Sequence, residues 1–374
     1  MSSDFILTIL TDHQNMITGQ IVEHVLSAYP KDFRSEDLFL LDPSLSLGLC
    51  RHWRVESSKE TFCLRRWSQG TPNRDRLQFI QAVLWTAAYE GIEFVPLPLE
   101  TRKHKGFVEF DGSYWELLPW FDSFETEAET FDQLDQFAQK DQKQFQVVAA
   151  MMALAQFHLA VSGFPLPDPP VSTSLRIQSQ LTFWKSWVTK RFTRLNQVLL
   201  ESRSNPSTLE EARLAKLGLT FLSLILPLSE RCQSLLTHAA WLMVPVQPVI
   251  GNALWRHLRF DSNGVYGMID FKEVSVDNVS LDIASLLGSA TITDRTLWTL
   301  GLKAYQNIRS LSDDELFMVQ IFDQTLVLLE GLQYLSSLFL EEKSWTELQQ
   351  KEMIRRLELC IFRLENKKDN RIIA

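Results

Sequence analysis

Residues 247–271, QPVIGNALWRHLRFDSNGVYGMIDF, decide how this chain is read. Within them, 258–260 and 265–270 are strand-like runs. Asp261–Ser262–Asn263–Gly264 between them is a tight turn, Asn-Gly being the pair that most readily closes a hairpin. The flanks are helical by periodicity: 146–162, 175–202 and 208–226 before, and 281–287, 296–310 and 314–340 after. A last amphipathic helix is expected over 344–365, with acids in its early turns and Arg355, Arg356 and Arg363 later, as the helix dipole favours. A hairpin set inside a helical half is costly unless it builds something, and such hairpins carry sites on their rims.

The first third reads differently. Strand-like runs at 49–55, 61–67 and 107–118 are rich in aromatic and branched residues. A helix is expected over 76–89, ending at Gly91, with Leu77, Ile80, Val83, Leu84 and Ala87 on one face. The order strand, strand, helix, strand predicts a small antiparallel sheet with one main helix, followed by a large, mostly helical region. The fold class is α+β.

Composition agrees with two lobes. The chain has 374 residues, 45% of them apolar and 22% charged, which excludes disordered, collagen-like and disulfide-stapled classes. Its net charge of −9 argues against a nucleic-acid binder, whose phosphate contacts need a basic face. The N-terminus lacks a basic n-region, and the most apolar window, 214–228, is interrupted by Lys216, Gly218 and Pro227. A cytoplasmic protein with no membrane span is expected. Cys50, Cys63, Cys232 and Cys360 form no CxxC pair and read as buried free thiols. No G-x-S-x-G, H-E-x-x-H or G-x-x-x-x-G-K-S/T is present. The stretch 122–135 holds six acids before any base; it is a solvated linker or an acidic rim for a cationic ligand. Trp53, Trp67, Trp85, Trp115 and Trp120 are expected to build the core of the small lobe.

Residues 247–271 resemble the catalytic loop and metal-binding strand of the aminoglycoside phosphotransferase and choline kinase family, in which H-G-D-x-x-x-x-N is followed by a hairpin and a D-F or D-x-D segment. LLPW at 117–120 is similar to that family's hinge, ALAQFH at 153–158 to its L-A-x-L-H helix, and LDIASLL at 281–287 to its D-L-A-x-L helix. The resemblance implies a bilobal protein-kinase-like fold: residues 1–121 as the N-lobe, a hinge at 117–121, and residues 122–374 as the helical C-lobe. It also implies ATP and Mg2+ as cofactors, and a nucleotide and a small-molecule acceptor as ligands.

The resemblance also assigns roles. Asn252 stands where the family has the carboxylate that orients and deprotonates the acceptor hydroxyl; an amide can hold a hydroxyl but cannot act as base. His257 stands where an Asn helps hold magnesium; as a neutral imidazole it is a poor ligand for magnesium and a tolerable one for manganese or zinc, or it is a hydrogen-bonded structural residue. Asp270 is the metal-binding acid or a strand-end turn cap, and Asp282 is expected to brace the loop. In FCLRRW, Arg65 falls at the phosphate-binding lysine, with Arg66 the one-residue alternative. No acid occurs between Leu77 and Tyr89 to pair with it, Gln81 being the nearest polar side chain. Gly48 would supply the phosphate-covering loop or a strand-entry turn, and Glu116, Leu117 and Leu118 would line the nucleotide beside the hinge. Two functions remain: ATP-dependent phosphoryl transfer to a small hydroxylated molecule, or a pseudokinase acting as nucleotide sensor or protein-interaction module.

Overall fold

Alternating apolar residues build a five-stranded antiparallel sheet in the first third of the chain. Its strands are β1 (Asp37–Leu40), β2 (Cys50–Glu56), β3 (Thr61–Trp67), β4 (Val108–Phe110) and β5 (Ser113–Pro119), in the order β1-β2-β3-β5-β4. The computed structural model describes residues 19–33, 37–41, 50–58, 60–121, 138–166, 170–206, 208–341 and 347–367. The chain divides into two compact units, Met1–Ala88 with Val95–Ser123, and Tyr89–Phe94 with Phe124–Ala374.

One face of the sheet carries Trp53, Val55, Phe62, Leu64, Trp115 and Leu117, all buried, with Trp53 and Trp115 stacked at 5.3 Å. Against this face packs a helix the periodicity did not announce, α1 (residues 19–26), through Val22, Val25 and Leu26, followed by Tyr29. Burying each such side chain is worth about 1.5–3 kcal/mol. The two-residue period turns Cys63, Arg65, Trp67 and Glu116 to the opposite face. Helix α2 (Arg74–Tyr89) starts where Asn73 Oδ1 accepts the Arg76 N–H at 2.8 Å, and it buries Leu77, Ile80, Gln81, Val83, Leu84 and Ala87. Two expectations are corrected in this unit. Residues 107–118 are two strands, because Asp111 and Gly112 both take positive φ (50° and 66°) and turn the chain back on itself. Trp85 is 40% exposed on α2, outside the core.

The second unit is helical: α3 (Ala138–Ala160), α4 (Leu175–Ser186), α5 (Phe192–Ser204), α6 (Leu209–Ile225), α7 (Ser229–Ala239), α8 (Ser280–Thr291), α9 (Arg295–Gln306), α10 (Asp313–Phe339) and α11 (Glu347–Lys367). A π-helical segment, Trp187–Arg191, links α4 to α5, so the single helix expected over 175–202 is α-helical only in parts. Short strands β6 (Val171–Ser172) and β7 (Val244–Pro245) pair, as do β8 (Gln247–Val249) and β11 (Ser275–Asp277). The expected hairpin is present as β9 (Leu258–Asp261) and β10 (Gly264–Met268), with Asp261 Oδ1 accepting the N–H groups of Asn263 and Gly264 in the turn. Among the described residues one helical run, Glu211–Ala239, is long and apolar enough to cross a bilayer; here α6 packs on α5 and α11, and α7 on α4 and α10.

Tyr29 links the α1 side to the sheet, since its hydroxyl oxygen accepts the Leu117 N–H at 3.2 Å. Tyr29→Phe keeps the ring buried but leaves that N–H without its partner. It is expected to lower stability by about 1–3 kcal/mol, read as a lower urea midpoint. An unchanged midpoint would show that the bond contributes nothing.

Candidate functional site

Arg65 and Glu116 are direct cross-strand partners in β3 and β5, on the sheet face away from α1. Arg65 donates from Nε (3.1 Å) and Nη2 (2.7 Å) to Glu116 Oε2. The Trp67 indole N–H donates to the same oxygen at 2.5 Å, and Gln81 Nε2 donates to Oε1 at 2.7 Å. The Arg65 guanidinium lies over the Trp67 ring, 4.4 Å from its centroid. Glu116 is fully buried and Arg65 is 6% exposed. Burial works against the guanidinium charge, but the Glu116 carboxylate outweighs it and holds the Arg65 pKa above its ordinary value.

The acid that the helix lacks therefore comes from the sheet, and Gln81 of α2 reaches that same carboxylate. Glu116, placed by resemblance beside a nucleotide, has both oxygens bonded within its own unit. Leu117 is spoken for as well: its N–H by Tyr29 and its carbonyl by the Leu99 N–H at 2.8 Å. Leu118 is buried and pairs with Cys63 across the sheet. Arg66, on the other face, sits over Trp115 and pairs with Asp111 at 3.2 Å. Gly48 and the acidic stretch 122–135 lie outside the described residues.

In the second unit the loop 250–257 is pinned at nearly every residue. Asp282 of α8 accepts the N–H of Ile250 (2.6 Å) and of Gly251 (2.8 Å), and its Oδ2 lies 3.1 Å from His158 Nε2. His158 and Asp282 are both completely buried, and burial holds the imidazole below its ordinary pKa and thus neutral. Arg176 donates to the Gly251 carbonyl at 3.1 Å, and Ser289 Oγ accepts the Trp255 N–H at 2.9 Å. Gly251 itself is required: its φ is +80°, and a Cβ there would lie 2.3 Å from the Glu273 carbonyl oxygen. The bracing role expected of Asp282 is thus visible in its bonds, whereas Arg176 carried no sequence signal. The Asn252 side chain is half-buried, and among the described residues it makes no hydrogen bond.

Asp270 sits in the left-handed region (φ 68°, ψ 59°), a conformation that Asp tolerates better than most residues. Its Oδ2 is 3.1 Å from Lys272 Nζ and 3.4 Å from His257 Nε2. His257 Nδ1 lies 3.2 Å from the Asn252 carbonyl oxygen, so the ring proton is assigned to Nδ1 and the Nε2 lone pair faces Asp270. Burial drives the His257 pKa down to about 3, so the ring is neutral at ordinary pH. The sequence-selected residues Asn252, His257 and Asp270 are therefore brought together, and Lys272, which sequence reasoning passed over, joins them. Only its position was legible, two residues after the acid, at the second acidic position of a D-x-D segment; its contact with Asp270 was not.

This donor set does not fit magnesium. Mg2+ asks for near-octahedral oxygen ligands, and here one carboxylate is joined by an imidazole and an ammonium. Two like unit charges ~4 Å apart repel by about 4 kcal/mol at an effective dielectric near ~20, and a dication doubles that against Lys272. Among the described residues no three His, Cys, Asp or Glu side chains converge as a metal site. A depression of about 730 Å³ in the same unit, lined by Glu90, Glu93, Gln156, Asp261 and Tyr266 among others, contains none of the sequence-selected residues.

The Arg65–Glu116 pair is expected to dominate the stability of the first unit. Removing either partner leaves a buried charge and costs about 3–5 kcal/mol. Arg65→Met and Glu116→Leu together are expected to cost about 1–3 kcal/mol less than the sum of the single changes, measured by urea unfolding of all four proteins. Strict additivity would mean that the two groups are not coupled.

No protein-family model matches the chain, and no curated protein matches it in sequence. Its fold does match solved structures. A spectinomycin phosphotransferase, solved with ADP and spectinomycin, is 12% identical at a TM-score of 0.64, over 93% of this chain and 98% of that one. An amicoumacin kinase, solved with AMP-PNP, Ca2+ and Ami, is 11% identical at 0.56, over 93% of each chain. A microcompartment-associated aminopropanol kinase is 13% identical at 0.55, over 94% and 98%. This chain has the α+β kinase-like fold of the aminoglycoside phosphotransferases and small-molecule kinases.

Proposed function

We propose that this chain is a pseudokinase: a kinase-fold binding protein that does not carry out efficient ATP-dependent phosphoryl transfer. The observation that carries this reading is the sealing of Arg65. The residue is 6% exposed, and its guanidinium gives Nε and Nη2 to Glu116 and lies over the Trp67 ring, so the cation expected to hold nucleotide phosphates is buried within its own sheet. Phosphoryl transfer depends chiefly on positioning and on neutralising charge that develops on the phosphoryl oxygens. A second loss compounds the first: Asn252 offers an amide where a base is needed, and losing a general base costs ~10²–10⁴ in rate.

Binding is a different matter. The loop that presents Asn252 is held by Asp282, Arg176 and Ser289, and the Asn252 amide is left for a ligand hydroxyl. Neighbours of the same fold hold ADP, AMP-PNP, spectinomycin and Ami, which supports a small molecule or nucleotide as the ligand; a cytoplasmic setting is part of the proposal and rests on the sequence reading alone.

ADP release from ATP, followed with a panel of hydroxylated acceptors, tests this. Wild-type turnover is expected at background, and Asn252→Asp is expected to raise it by less than about tenfold, because Arg65 stays bound to Glu116. Wild-type turnover of about 1–100 s⁻¹, the ordinary range for kinases, would overturn the reading. So would a gain of ~10² or more in Asn252→Asp, which would return to the loop what a general base typically contributes.

A further inference from the structure

We propose that Lys272 is the resident cation of the Asp270 site and keeps divalent metal out, so that a ligand arriving beside Asn252 meets an ammonium and not a metal ion. The first support is geometric. Lys272 Nζ lies 3.1 Å from Asp270 Oδ2, on the carboxylate that the fold would otherwise offer to metal. The lysine is not a loose surface group: its side chain is 18% exposed, and it follows the buried Phe271 in the 3₁₀ turn Phe271–Glu273, which fixes where its stem begins.

The second support is the imidazole. With its proton on Nδ1, bonded to the Asn252 carbonyl, His257 turns an Nε2 lone pair towards Asp270 Oδ2 at 3.4 Å. Two acceptors that face each other at this distance need a positive charge beside them. Lys272 supplies one from within the chain. A dication would have to displace the ammonium or sit against it, with a single carboxylate to hold it.

Mn2+ alone, titrated into the full chain and followed by the loss of the free-ion electron paramagnetic resonance signal, is the test. Wild type and Lys272→Arg are expected to leave Mn2+ free. Lys272→Ala is expected to bind it at least tenfold more tightly, through Asp270 and His257, and Asp270→Asn added to that variant is expected to abolish the gain. Wild-type binding that disappears in Asp270→Asn would overturn the proposal. It would also be overturned if Lys272→Ala, folded by near-UV circular dichroism, showed no gain; Lys272→Gln provides the same arm should the alanine variant not fold. No nucleotide is present, so the outcome does not depend on whether the chain turns over ATP.

Discussion

A charge taken out of water needs a fixed partner, and the buried carboxylate of Glu116 organises the first unit around that constraint. Its two oxygens take donors from β3 (Arg65 and Trp67) and from α2 (Gln81). One side chain thereby ties the central strands to the helix. The consequence is functional as well as structural. An arginine that is 6% exposed, gives Nε and Nη2 to a buried glutamate and stacks on an indole has little of its guanidinium left to face phosphate oxygens.

The second unit follows the same rule with different groups. Asp282 spends its carboxylate on two backbone N–H groups and His158, which fixes the loop from inside. Asp270 is met by Lys272 and by the neutral His257. The parts of the fold that hold the loop in place are thus intact, and those that would handle charge on a transferring phosphoryl group are neutralised internally. Retaining the scaffold while closing its charges suits recognition better than turnover.

Much of this was legible in the sequence because it depends on local signals. Asn263-Gly264 announced the β9–β10 hairpin and the two-residue period announced β2 and β3; Asn252 and Asp270 were chosen by resemblance, and the structure connects them through His257. What stayed hidden depends on register or on distance along the chain. Glu116 lies 51 residues after Arg65, and only the pairing of β3 with β5 makes them neighbours. Helix α1 is short, and its apolar residues gain meaning only from the Trp53 and Trp115 face they cover. Asp111-Gly112 was a local turn signal, submerged in a run of strand-forming residues. The neutralising lysine stood two positions from Asp270, but its reach to the carboxylate depends on the left-handed turn at Asp270, which no residue pattern specifies.

Internal neutralisation of Arg65 and Asp270 removes these two described positions from what a magnesium-bound triphosphate could recognise. Calorimetric titration of ATP into the full chain, once in excess Mg2+ and once in EDTA, measures this directly. Affinities that agree within about twofold, or no binding in either buffer, are the expected result. An affinity raised tenfold or more by Mg2+, about 1.4 kcal/mol of metal-dependent binding, would contradict it.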